Sequence, residues 1–91
     1  MTIQDAQKKL ISVAEAEEGY LEKASNAQLD DKTANAGWNN YTKYARDHTK
    51  WGTYHAPKQG LAWCDMFVDW CFITAFGFDI GMKMTCQPKG A

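Results

Sequence analysis

The chain reads as mainly α, with about three helices joined by long loops, and three observations predict it. Apolar side chains recur at helical spacing near the N-terminus. Residues 63 to 76 form an almost wholly apolar and aromatic segment, "WCDMFVDWCFITAF", closed by Gly77. No stretch alternates apolar and polar residues with the period of two that a half-buried strand requires.

The first helix is expected over residues 3 to 18. Thr2 is placed to cap it, with Asp5 three residues later in a capping-box arrangement. Ile3, Ala6, Leu10, Val13 and Ala14 make one apolar stripe, and Gly19 suits a left-handed helix end. Residues 24 to 40, "ASNAQLDDKTANAGWNN", are rich in Asn, Asp, Ser and Gly and read as a long ordered loop. A loop of that length in a compact domain is often functional. Asn40 then caps a short helix, "YTKYARDH", whose Tyr41, Tyr44 and Ala45 share a face. Residues 49 to 61 return to loop, punctuated by Pro57 and Gly60, and the tail "GFDIGMKMTCQPKGA" shows no clear element. In the helix over 63 to 76 only Asp65, Asp69 and Thr74 are polar, which implies burial on most sides.

Ninety-one residues bound the chain to one small domain. Such a chain buries about two-thirds of its unfolded surface, so its stability margin is small. Ten basic and 11 acidic side chains give a net charge of -1, without the basic face that displaces counterions from phosphates, and no nucleic-acid partner is expected. No window of about 18 apolar residues occurs, so no membrane span is expected either. The N-terminal "MTIQDAQKKLISVAEAEEGY" lacks a signal-peptide core, which predicts a chain that is cytoplasmic as synthesised. Four Trp, four Tyr and four Phe point to a real core or to a binding groove.

The chemistry rests on "GLAWCDMFVDWCF". The cysteines follow the pattern C-x6-C-x14-C, which fits no common zinc-ligand spacing, and their odd number leaves at least one thiol unpaired within the chain. Cys64 falls at the second position of the expected helix, where unpaired backbone N–H groups and the macrodipole favour a thiolate. Cys71 lies two turns further in, about 10 Å along the axis, too far to share a reaction centre or form a disulfide. As a small apolar residue Cys64 would equally suit a core. Cys86 falls in no motif.

The run "AEAEEGYLEK", an Asn-rich loop, "NNYTKYARD" and then "WCDMFVDWCF" resembles the N-terminal half of a CHAP-type domain. The most specific part is Trp63, Cys64, Phe67, Val68, Trp70 and Cys71. CHAP-type domains are papain-like cysteine amidohydrolases or peptidases of cell-wall hydrolases and phage endolysins. The resemblance implies the helical half of a papain-like α+β cysteine hydrolase lacking its β-sheet, a single incomplete domain over residues 1 to 91. It implies Cys64 as the nucleophile toward an amide of peptidoglycan peptide, at the cell wall if the protein is released, with no cofactor. The family histidine comes from a strand downstream of the nucleophile, and no such residue follows Cys64 here.

His48 and His55, both upstream, are the only histidines; each reads as an exposed loop residue, with His55 as an alternative base for Cys64. The Cys64 backbone N–H is a natural oxyanion donor. Gln59 resembles the glutamine that papain-like enzymes place before their nucleophile, and Tyr54 could serve similarly. Asp30, Asp31, Asn35 and Asn39 could ligate calcium, as in some CHAP-type domains, or could simply build turns. Glycine falls seventh from Asp31, whereas an EF-hand loop needs it sixth. The alternative function is a non-catalytic cell-wall-binding or self-associating module. Bare aromatic residues on the 63 to 76 helix would draw a second copy or a partner chain onto it.

Overall fold

The computed structural model describes residues 2 to 54 and 57 to 85. Four helices form: α1 (Ile3–Ala16), α2 (Lys43–Trp51), α3 (Cys64–Phe76) and α4 (Phe78–Thr85). Among the described residues the only β-type pairing is two isolated bridges, from Lys23 to Ala36 and to Tyr41. The protein is mainly α.

α1 starts as its sequence dictates. The Thr2 hydroxyl accepts from the Asp5 N–H, and the Asp5 carboxylate accepts from the Thr2 N–H, closing a capping box. The helix stops at Ala16 rather than 18, because residues 17 to 19 tighten into a turn before Gly19 at φ +87°. Leu10, Val13 and Ala14 of the expected stripe pack on the core, whereas Ile3 at its outer end is 77 % exposed.

α2 corrects its expected start. Asn40 has φ +59°, which cannot serve as the extended N-cap, and Thr42 at φ −143° caps the helix by accepting from the Ala45 N–H. Tyr44 and Ala45 are fully buried, but Tyr41 precedes the helix. The tail is corrected in part: Phe78–Thr85 form α4, which packs on α3 through Gly81, and residues 86 to 91 lie outside the described residues. A Cβ at Gly81 would lie 2.7 Å from Ile73 Cα, so only glycine allows that approach.

α3 is the spine, in contact with each of the other three helices. Met66, Asp69, Trp70, Cys71, Ile73 and Ala75 are buried along it. Tyr20, Tyr44, Trp70 and Cys71 form the central cluster, with Trp63 and Phe67 packed against it. Three polar ties fasten the inner face of α3. Trp70 Nε1 donates to Asp47 at 2.8 Å, the Tyr54 hydroxyl donates to Asp69 at 2.8 Å, and the His48 imidazole Nε2 meets the Met66 carbonyl at 2.8 Å. His48 is therefore a fully buried residue of α2, not an exposed loop residue. The Cα envelope measures 39 × 28 × 17 Å. Packed helix axes lie about 8–10 Å apart, so the short axis accommodates about two layers of helix.

Candidate active site

Cys64 is the first residue of α3 and its side chain lies on the exposed surface. Trp63 is the N-cap, at φ −118° and ψ +10°, and among the described residues no side chain caps this helix. The opening N–H groups of α3 are thus left for solvent or for an incoming acceptor. Trp63 holds the helix start in place. Its indole stacks on Tyr44 at 5.5 Å and meets Tyr20 and Phe67 edge-on at 6.4 Å each. An exposed thiol thus sits at the uncapped mouth of a helix whose body is buried.

Cys71 is different in kind. It is buried in the central cluster, and burial, with a smaller contribution from Glu17, pushes its thiol up to about 11. That sulfur is a packing group.

The supporting residues take other places than a dyad would need. His48 is sealed behind the first turns of α3, with Nε2 committed to Met66; burial holds its pKa below the ordinary imidazole value. His55 lies outside the described residues. Gln59 closes a three-way clamp. Its Oε1 accepts from the Thr42 N–H at 2.9 Å, and its Nε2 donates to the Thr42 carbonyl at 2.9 Å and to Asn26 Oδ1 at 3.1 Å. Both amide hydrogens are spent, so in this arrangement Gln59 positions the loop ahead of Cys64 rather than offering a donor. The Tyr54 hydroxyl is likewise committed to Asp69, and burial and that carboxylate raise its pKa.

The acidic loop is built from its own side chains. Asp30 forms a bidentate pair with Arg46 at 2.8 and 2.9 Å, which holds its carboxyl below the usual range. Asp31 accepts from the Thr33 and Ala34 N–H groups at 3.0 Å each, and Asn35 Nδ2 donates to Ser25 and to the Ala27 carbonyl. Asn39 Nδ2 donates to the Ala24 carbonyl. Among the described residues no three His, Cys, Asp or Glu side chains gather as a metal site. The loop wraps around Lys23, which is fully buried, with its ammonium 4.8 Å from the Tyr20 ring centroid and no hydrogen-bond partner among the described residues.

Two cavities meet at Trp63, the residue before Cys64, and Cys64 itself lines neither. One cavity of about 320 Å³ is bounded by Tyr20, Glu22, Trp38 and Trp63, and a second of about 500 Å³ by Glu15, Glu18, Tyr44 and Phe67; both include Tyr20 and Trp63. Trp38 is 93 % exposed. Sequence reasoning counted the aromatics but assigned no groove, since its walls come from three separate segments. The signal available was Trp38 itself, an aromatic residue inside a polar loop. Comparison with family models, with curated proteins and with solved structures finds no match to this chain.

Proposed function

We propose that these residues are the helical part of a papain-like cysteine hydrolase that cleaves amide bonds of cell-wall peptide, with Cys64 as the nucleophile. The observation that carries this reading is the exposed thiol at the first position of an uncapped, largely buried helix, one residue beyond the indole that floors an aromatic groove.

In the reaction, the base takes the thiol proton as the Cys64 sulfur attacks the amide carbonyl carbon and forms a C–S bond. The developing oxyanion is met by N–H groups of the α3 mouth. The C–N bond breaks as the leaving amine takes a proton from the base, and water then hydrolyses the thioester to the acid and restores the thiol. His48 is too enclosed for that base. The reading therefore needs His55 or an imidazole supplied from beyond these 91 residues.

Incubation with purified peptidoglycan tests it. New free amines that vanish in Cys64→Ser support the hydrolase. No release by the wild type, even with added imidazole as a base, would sink it for this chain.

A second reading, a non-catalytic cell-wall-binding or self-associating module, draws on the outer side of α3. Of the aromatics on the 63 to 76 helix, Trp70 is buried rather than bare, but Val68 is 51 % exposed. Phe72 and Phe76 line an apolar cavity of about 280 Å³ shared with Ile3, Leu10 and Met84. Contiguous apolar surface of this kind marks contact sites. Sedimentation that gives a dimer, reverting to monomer in Val68→Lys or Phe72→Lys, would favour this module. Sedimentation as a monomer up to about 100 µM would remove the self-association.

A further inference from the structure

The groove at Trp63, the N-cap of α3, combines aromatic faces with a single sign of charge among its lining side chains. Glu22 stands in the smaller cavity with Trp38 and Trp63, while Glu15, Glu17 and Glu18 border the larger. Among the described residues no lysine or arginine borders either one. Glu17 is already neutralised, since it pairs with Lys43 and accepts from the Tyr44 hydroxyl. The other two neighbouring ammonium groups are turned to the protein: Lys32 donates to the Glu18 carbonyl, and Lys23 is sealed against Tyr20. Glu22 gives one oxygen, Oε2, to the Asn40 N–H at 2.8 Å, which orients the carboxylate and leaves the other oxygen to accept.

An indole face attracts a cation through its quadrupole, and a carboxylate beside it adds charge and a hydrogen-bond acceptor. A neutral donor gains the hydrogen bond without the charge attraction, and an anionic side chain is repelled by the carboxylate. A quaternary ammonium would satisfy the rings but offers no N–H to Glu22. A primary alkylammonium satisfies both. We propose that the groove binds peptide carrying a primary alkylammonium side chain of lysine type, with the ammonium at Glu22 between Trp38 and Trp63 and the peptide backbone running toward Glu18. The proposal rests on the hydrolase reading only in treating the groove as its substrate cleft. The binding geometry stands without cleavage.

Binding is read in the Cys64→Ser protein, so that chemistry plays no part. The indole N–H resonances of Trp38 and Trp63 are followed while Ala-Lys-Ala, its Nε-acetylated form or Ala-Glu-Ala is added. The lysine peptide is expected to shift both resonances. Acetylation is expected to weaken binding about tenfold, and Glu22→Gln, which keeps the acceptor to Asn40, by a similar factor. Trp38→Ala is expected to weaken it as well, and affinity is expected to fall with added salt. Equal affinity for the acetylated peptide, unchanged affinity in Glu22→Gln, or no shift up to about 10 mM lysine peptide would each overturn the proposal. Lysine-peptide binding together with inert Cys64 wild type would leave the cation site standing and remove the hydrolase. Cleavage without lysine preference would do the reverse.

Discussion

His48 and Met66 meet through imidazole Nε2 and a main-chain carbonyl, 2.8 Å apart. The carbonyl can only accept, so Nε2 carries the proton and Nδ1 is a buried acceptor without a hydrogen-bond partner among the described residues. Burial dominates the imidazole's downward shift; the Met66 contact, Asp69 and Asp47 oppose it. The folded state thus holds His48 neutral more firmly than the unfolded chain does. Stability is full above the unfolded value of about 6.5 and declines as pH falls from there toward the lower folded value. The Asp30 carboxyl is lowered too, but by the Arg46 hydrogen bond favouring its charged form rather than by burial, and its contribution is lost only below about pH 4. Melting temperature is therefore expected to fall in two separate acid limbs. His48→Gln, which keeps a donor for Met66, is expected to remove the upper limb. An identical upper limb in that variant would contradict the assignment.

The two cysteines of α3 are expected to separate under alkylation. Iodoacetamide added to the native protein should modify Cys64, which is exposed, and spare Cys71, which is buried with its thiol pushed up to about 11. Peptide mapping after quenching reads both. Native labelling of Cys71 at the rate of Cys64 would mean that α3 opens far more easily than its packing implies.

Gly81→Ala should destabilise the protein although alanine is the better helix former. The new Cβ would meet Ile73 Cα at 2.7 Å and Ile73 N at 2.9 Å, and backbone atoms cannot rotate away. Overpacking costs about 1–3 kcal/mol, against about 1 kcal/mol gained in propensity. A lower midpoint in urea denaturation is the expected outcome, and a raised one would show that α4 docks more loosely.

Lys23→Met should have the opposite sign. A fully buried ammonium without a hydrogen bond costs several kcal/mol of lost hydration, and the Tyr20 ring returns about 1–2 kcal/mol. Methionine fills nearly the same volume without a charge, so a gain of about 1–2 kcal/mol in unfolding free energy is expected. A loss of stability on replacement would reveal a compensating partner for Lys23 in the native protein.

Much of the secondary structure was legible because it depends on neighbours in sequence. The Thr2 and Asp5 box, the apolar run of α3 and its stop at Gly77 all act within a few residues. The N-cap of α2 was misread because Asn40 and Thr42 are both good caps, and only the backbone decides between them. α4 was missed because Gly81 weakens a short helical pattern, and its value lies in contact with Ile73 of the preceding helix, which exists only once the chain turns at Gly77. The position of Cys64 followed from the start of α3, whereas the burial of His48 depends on a carbonyl 18 residues away. The groove was invisible for the same reason: Tyr20, Trp38 and Trp63 become neighbours only after folding.

The Gln59 clamp has a chemical consequence. One carboxamide joins the segment ahead of Cys64 to the start of α2 and to Asn26. Hydrolysis of that amide to an acid would exchange a single NH₂ for oxygen, turning two donors into an anion that faces two lone pairs. Slow deamidation at this position would therefore loosen the approach to Cys64 while sparing the four helices, so that an aged sample could keep its helical spectrum and still lose the alignment of its reactive sulfur.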